Sequence, residues 1–196
     1  MPVAKKLAQK TAPKPVAKSS PKPLKKTAAK PAARSKPVKK SVSLKIGDKV
    51  PALTLTTLEG DINLAKLKGQ NVVLYFYPKD DTPGCTKQAC GFQDNLPKFK
   101  KTNATIIGVS KDNLVSHQKF AKKYKLAFNL AADADVSAAN AFGVWVEKSM
   151  YGRKYMGMDR ATFLIDSKGV IRAIWNNVKV PGHVEEVMKA SQKLKK

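Results

Sequence analysis

Beyond residue 50 the apolar positions follow two rhythms, short continuous runs and spacings of three or four, which alternate along the chain. Residues 72–77 are a β-branched and aromatic run bounded by Gly69 and Pro78, which predicts a buried strand. Residues 83–100 place Phe92, Leu96 and Phe99 four and three apart, a helical period. Leu53, Leu55 and Leu58 predict a short opening strand that ends in the turn Glu59-Gly60-Asp61. Further strands are predicted at 105–109, 128–132, 161–165 and 170–175, the last two joined as a hairpin through Asp166-Ser-Lys-Gly169. Helices are predicted at 114–124 and 183–194. The alternation of β and α elements predicts an α/β layered domain whose central sheet is mixed and mainly parallel, with one antiparallel hairpin.

Residues 1–40 follow neither rhythm. They contain thirteen Lys or Arg and seven Pro, with no aromatic, glycine or acidic residue, in an Ala-Lys-Pro-Ser pattern. Such a segment buries too little apolar area to offset its ordering entropy, so it is predicted to be disordered and partly polyproline-like, with the folded domain at 41–196. The formal charge is +24, of which the tail supplies +13 and residues 41–196 the remaining +11. A cationic arm kept extended by Pro suits the phosphate backbone of DNA or RNA, or an anionic membrane surface. The tail has only Leu7 and Leu24 and no Phe or Trp, too little for an inserting face, which disfavours the membrane, and it lacks aromatics for stacking on bases, so binding to nucleic acid would be non-specific.

No secretory apolar region and no run of roughly 20 apolar residues is present. The tail's single Arg and regular Lys-Pro spacing argue against a cleaved transit peptide. Two cysteines in 196 residues make no disulfide framework, which points to an intracellular reducing compartment: a bacterial cytoplasm with its nucleoid or, as the lesser alternative, a nucleus.

Both cysteines fall in one stretch, Tyr75-Phe-Tyr-Pro-Lys-Asp-Asp-Thr-Pro-Gly-Cys-Thr-Lys-Gln-Ala-Cys90. Thr82 is a candidate N-cap and Pro83 suits the first helical position, which puts Cys85 in the first turn. There the unpaired backbone N–H groups and the helix dipole favour an anion, so the thiol is expected to ionise below its free value of about 8.5. On these residues alone a protease, a redox sensor and a peroxidase all remain open.

The same stretch closely resembles the active-site segment of the peroxiredoxins, in particular the bacterioferritin comigratory protein or peroxiredoxin Q subfamily. The similarity continues through Phe142-Gly-Val-Trp-Val-Glu-Lys148 and Arg160-Ala-Thr-Phe-Leu-Ile-Asp166 and covers nearly all of residues 44–194. The resemblance implies a thioredoxin-like fold and reduction of hydrogen peroxide or organic hydroperoxides by a cysteine, and no cofactor is expected; the cysteines form no C-x-x-C pair and His117 and His183 are far apart, so no metal site is expected either. Carried over, its Pro-x-x-x-Thr-x-x-Cys pattern falls on Pro78, Thr82 and Cys85, its distant arginine on Arg160, and its resolving cysteine on Cys90. It also implies an intramolecular Cys85–Cys90 disulfide, thioredoxin or a similar thiol as reductant, and a monomer. Val146, where relatives often carry Gly, and the basic tail are the departures.

Lowering a thiol pKa from about 8.5 to about 6 raises its thiolate fraction at pH 7 only near 30-fold, far less than enzymes achieve. Donors beside the sulfur are needed where charge builds on the departing oxygen, and Thr82, the first-turn N–H groups and Arg160 fit that need. Attack yields a sulfenic acid on Cys85 that a second thiol converts to a disulfide. Five residues along an ideal helix separate Cα atoms by about 8.6 Å, beyond the roughly 7 Å that a disulfide tolerates, so the turn between Cys85 and Cys90 must unwind in each cycle.

Duller roles compete. Cys90 could be a packing residue and Arg160 a surface ion-pair partner. His117 and His183 are far apart and read as surface or structural residues. Asp80 and Asp81 read as solvated loop residues, and Phe142, Trp145, Tyr151 and Tyr155 as core in preference to the lining of a peroxide pocket. A nucleic-acid-binding protein with an inactive thioredoxin-like domain is the alternative function, and intact Thr82, Cys85 and Arg160 argue against it. A thiol-disulfide oxidoreductase is disfavoured because the C-x-x-C spacing is absent.

Overall fold

The computed structural model describes residues 44–150 and 152–194, Met150 by its backbone alone. The tail predicted at 1–40 and Tyr151 lie outside the described residues. In chain order the elements are β1 (Thr54–Thr57), β2 (Gly60–Asn63), a 3-10 turn (Leu64–Lys66), β3 (Asn71–Phe76), α1 (Pro83–Lys101), β4 (Ala104–Ser110), α2 (Leu114–Tyr124), β5 (Asn129–Ala132), α3 (Ser137–Ala141), β6 (Trp145–Met150), β7 (Arg153–Met158), β8 (Ala161–Ile165), β9 (Ile171–Trp175) and α4 (His183–Lys193).

Seven strands form one mixed sheet in the order β2-β1-β5-β4-β3-β8-β9, and β6 and β7 form a separate hairpin. Parallel pairing is confined to β3, β4 and β5. The expected single antiparallel hairpin is therefore corrected: β1 returns antiparallel against β5, β1 and β2 form a second hairpin, and β8 runs antiparallel to β3. The glycine turns at Gly60 and Gly169, both at positive φ, reverse the chain at these edges without a helical crossover.

β3 is buried at every residue because helices or loops cover both faces of the sheet. Val72, Leu74 and Phe76 face a core shared with Phe142 and Phe163, while Val73, Tyr75 and Tyr77 face one built by Phe92, Phe99, Phe120, Val184 and Val187. The second core joins α1, α2 and α4 to the sheet. Phe92, fully buried, packs on Tyr75 with ring centroids 4.8 Å apart, and such a Phe contributes about 1.5–3 kcal/mol by burial alone.

Strand β2, the 3-10 turn, helix α3 and the β6–β7 hairpin have no counterpart in the sequence reading. The β6–β7 hairpin is exposed along most of β7, so its side chains show no buried alternation. Helix α3 has only five small residues and begins after Val136 at φ 53°. Leu58, expected in the first strand, lies in the turn and is exposed, and Tyr155, expected in the core, is also exposed.

Candidate active site

β3 delivers the chain to a loop at the carboxyl ends of the parallel strands, and the loop feeds directly into α1. Tyr77 N–H still bonds the Val109 carbonyl at 3.0 Å, so the loop starts from a fixed point. Pro78 lies exposed at its beginning.

Asp80 is not solvated, which corrects the sequence reading. It is 6% exposed, and its carboxylate accepts from the Tyr77 hydroxyl at 2.8 Å and the Ser116 hydroxyl at 2.7 Å, with His117 Nδ1 at 2.9 Å. Its own N–H donates to the Asp112 carboxylate at 2.8 Å. Burial opposes ionisation, but the bonds from His117, Ser116 and Tyr77 outweigh it and hold the Asp80 carboxyl below its ordinary value. Docking of α2 onto the loop creates this environment. Asp81 does stay exposed; it turns the chain at φ 55° and pairs with Lys123 at 2.7 Å.

Thr82 occupies the predicted N-cap position in extended geometry, yet its side chain caps nothing. The hydroxyl instead donates back to the Lys79 carbonyl at 3.1 Å, and the first helical bond runs from Thr86 N–H to the Thr82 carbonyl at 2.8 Å. Pro83 starts the helix as predicted, and Cys85 is its third residue, 2% exposed.

Arg160 reaches the sulfur from the junction of β7 and β8, 75 residues away. Its Nη2 stands 3.2 Å from Cys85 Sγ, and its Nη1 donates to Gln88 Oε1 at 2.7 Å. A Cβ at Gly84 would come within 3.3 Å of Nη2, so glycine there leaves room for the guanidinium. The main chain of Arg160 is held as well, its carbonyl accepting from Val178 N–H at 2.9 Å. Gln88 is fully buried and its Nε2 has no partner among the described residues. The sequence reading missed it, although a residue three positions after Cys85 shares its helix face.

Three more groups surround this cluster. The Tyr75 hydroxyl is buried without a partner among the described residues, and burial, followed by the neighbouring Cys85 and Asp80, pushes its ionisation well above the ordinary value. His183 Nε2 lies 2.8 Å from the Thr162 hydroxyl. Burial and then the Arg160 charge lower the His183 pKa to about 4, so its imidazole is neutral at pH 7. Both histidines are structural and buried, not surface residues.

Cys90 is half-buried, further along the same unbroken helix, and both thiols are free. Burial, with the Asp94 carboxylate one turn on, raises its pKa. The structure thus brings Cys85 and Arg160 together, and places Thr82, Pro78 and Cys90 on the adjoining loop and helix.

Residues 46–174 match the AhpC/TSA family. The chain belongs to this peroxiredoxin family. Relatives include a bcp-type peroxiredoxin of Coxiella burnetii, 51% identical over 148 residues that cover 75% of this chain and 98% of that protein. Peroxiredoxin Bcp of Bacillus subtilis is 45% identical, over 75% of this chain and 94% of its own. Among solved structures, the Xanthomonas campestris bacterioferritin comigratory protein, described for its alkyl peroxide reduction activity, superposes with a TM-score of 0.72 at 40% identity, covering 76% of this chain and all of that one. This peroxiredoxin has the thioredoxin-like fold that the resemblance implied and is a thiol peroxidase of the Bcp/peroxiredoxin Q type. A peroxide substrate and a thioredoxin-type thiol reductant come with membership. No helix among the described residues is long and apolar enough to cross a membrane.

Proposed function

We propose that Cys85 is the peroxidatic nucleophile and Cys90 the resolving thiol of a thioredoxin-recycled peroxidase acting on hydrogen peroxide and organic hydroperoxides. The observation that carries this reading is the Arg160 Nη2 to Cys85 Sγ contact of 3.2 Å at a buried sulfur. A guanidinium there stands against the sulfur and ready for the oxygen that becomes negative.

The Cys85 thiolate attacks the terminal oxygen of ROOH. The S–O bond forms as the O–O bond breaks, and RO⁻ leaves to take the proton the thiol had lost. Arg160 and the first-turn N–H groups stabilise the developing charge, Thr82 supplies a hydroxyl once peroxide competes with the Lys79 carbonyl, and Pro78 shapes the loop. The resulting Cys85 sulfenic acid condenses with the Cys90 thiol to a disulfide, releasing water. Two thiols of thioredoxin then reduce that disulfide and are oxidised in turn.

Condensation requires the turn between the two cysteines to open, which also frees Cys90 from the burial that keeps its thiol protonated. Peroxide-dependent oxidation of thioredoxin tests the assignment. Cys85→Ser abolishes it, whereas Cys90→Ser consumes one equivalent of peroxide and stops. Persistent turnover in Cys85→Ser refutes the assignment. Hydrogen exchange over residues 84–92 tests the opening: protection falls in the oxidised enzyme, and equal protection in both redox states removes the unwinding step.

The protein acts as a monomer in the cytoplasm, where residues 1–40 hold it non-specifically on nucleic acid and place the peroxidase beside a peroxide-sensitive target. Six to ten phosphate contacts by the tail would weaken binding about 10³ to 10⁵-fold between 50 and 200 mM salt. Identical DNA retention with and without residues 1–40 removes that role.

A further inference from the structure

The end of the sheet opposite Cys85 carries a concentration of unpaired positive charge. There the parallel strands begin, α1 and α4 finish, and the β8–β9 hairpin turns. Four contacts tie these pieces together. Asn71, at the start of β3, donates its side-chain N–H to the Thr102 carbonyl at 3.0 Å, and Thr102 Oγ1 meets Ser191 Oγ of α4 at 2.7 Å. Gly69 N–H bonds the Ser167 carbonyl at 2.9 Å, and Lys49 pairs with Val170 beside that hairpin. On this one end stand Lys49, Lys68, Lys100, Lys101, Lys168 and Lys193, all exposed. None of the six is in an ion pair among the described residues.

A helix dipole accounts for lysines in the last turns of α1 and α4. It does not account for Lys49, Lys68 and Lys168, which lie outside helices. The carboxylates at this end are Asp48, Glu59, Asp61 and Asp166, and Asp166 is already bonded to Arg172 at 2.6 Å. The opposite end holds Asp80, Asp81, Asp112, Asp133 and Asp135, at or just beyond the carboxyl ends of β3, β4 and β5, interleaved with Lys79, Lys111, Lys123 and Arg160. Positive charge is therefore uneven along the strands, matched by carboxylates around the active-site loop and in excess at the far end.

From this excess we infer that the lysine-bearing end is a docking face for the phosphate backbone of nucleic acid, on the folded domain and separate from the tail. The chemistry of the face selects a polymeric anion. It offers lysine point charges on flexible stems from several elements, and its Arg172 is tied through Nε to Asp166, so no converging set of rigid donors marks a cradle for one small phosphate. Its exposed large apolar side chains are Ile46 and, at the far edge, Leu58, too little for insertion into lipid. Lysines spread over a curved surface match a row of phosphates whose counterions they release, without reading bases. Because Cys85 lies at the other end of the sheet, a bound duplex leaves the peroxide entrance open.

The test uses the full chain, a random-sequence duplex of about 20 base pairs and a salt series, since each phosphate contact adds about 0.9 to the slope of log K against log salt. The variant Lys68→Gln/Lys101→Gln/Lys168→Gln should lose about 2 to 3 from that slope. A control with the same net charge, Lys119→Gln/Lys122→Gln/Lys125→Gln on and just after α2, should lose less than about 1. Equal losses would show that net charge alone matters, and an unchanged slope in the first variant would assign all binding to the tail; either result overturns the docking face. Binding to phosphatidylserine vesicles through the same three lysines, with no duplex binding, overturns it in favour of a membrane. Peroxidase turnover should be the same with saturating duplex, and inhibition overturns the geometry. Loss of the Cys85 assignment would register in the thioredoxin assay and leave the salt slopes untouched, so the two readings fail separately.

Discussion

Cys85 and Cys90 share one helix and differ in nearly everything around them. Cys85 is sealed to 2% exposure, faces Arg160 at 3.2 Å and opens the helix just after a loop pinned by the Asp80 hydrogen bonds. Cys90 is half-buried, its neighbouring charge is the like-signed Asp94 carboxylate, and the residue after it is Gly91, where a Cβ would come within 3.1 Å of Val184 on α4. Gly in a helix interior costs about 1 kcal/mol relative to Ala, so Gly91 weakens the turn that holds Cys90. The contrast separates two demands. Peroxide attack needs atoms held within tenths of an ångström, whereas disulfide formation needs a segment that can leave its place.

The largest test removes the charge from the rigid side. Arg160→Met should slow oxidation of Cys85 by about 10² to 10³-fold, as loss of one transition-state donor does, while the rate of disulfide formation after oxidation stays within a few fold. Stopped-flow fluorescence resolves the two phases, and equal slowing of both would erase the distinction.

Next comes the support beneath the helix, where His183 is neutral. An imidazole that binds its proton near 6.5 in the unfolded chain and only near 4 when folded makes acid favour unfolding. Its contribution is complete above pH 6.5 and is lost as pH falls toward 4, to a total of about 3 kcal/mol. Denaturant midpoints measured from pH 7 to 4.5 should fall more steeply for the wild type than for His183→Asn; parallel curves would mean that the histidine does not bear the strain.

A smaller effect is expected at Gln88. Gln88→Ala frees one side of the Arg160 guanidinium and should cost about 10-fold in the oxidation phase, less than the about 100-fold that a 1 Å misplacement can bring. An unchanged rate would leave Arg160 positioned by its backbone alone. The smallest effect is at Thr82. Its hydroxyl makes no cap bond, so Thr82→Ala should cost a few tenths of a kcal/mol in thermal unfolding, against about 1 for a capping threonine.

Much of this site was legible in the chain because its signals are local. The apolar run of β3, Pro78 and then Pro83 put Cys85 in a first helical turn without knowledge of anything distant. Arg160 was different. Nothing in its local sequence links it to Cys85, and only resemblance to relatives brought the two together before the structure did. Gln88 carried a usable signal in its spacing and was overlooked. Asp80 carried a misleading one, since an acidic residue in a Pro-Lys-Asp-Asp loop reads as solvated until α2 arrives with Ser116 and His117. The β6–β7 hairpin was invisible because strands exposed on most positions lack the alternation that marks a half-buried one.

The order of the buried strands and the three long helices, the first-turn position of Cys85, the five-residue gap to Cys90 and the division of charge between tail and domain all follow from the chain read in one dimension. They depend on neighbours within a few residues or on simple counting. Which strands run antiparallel, where the Arg160 charge ends up, how a buried carboxylate is satisfied and which lysines gather opposite the active site required the folded molecule. Each of these depends on groups far apart in sequence, and only packing of the two cores against the sheet sets the distances between them.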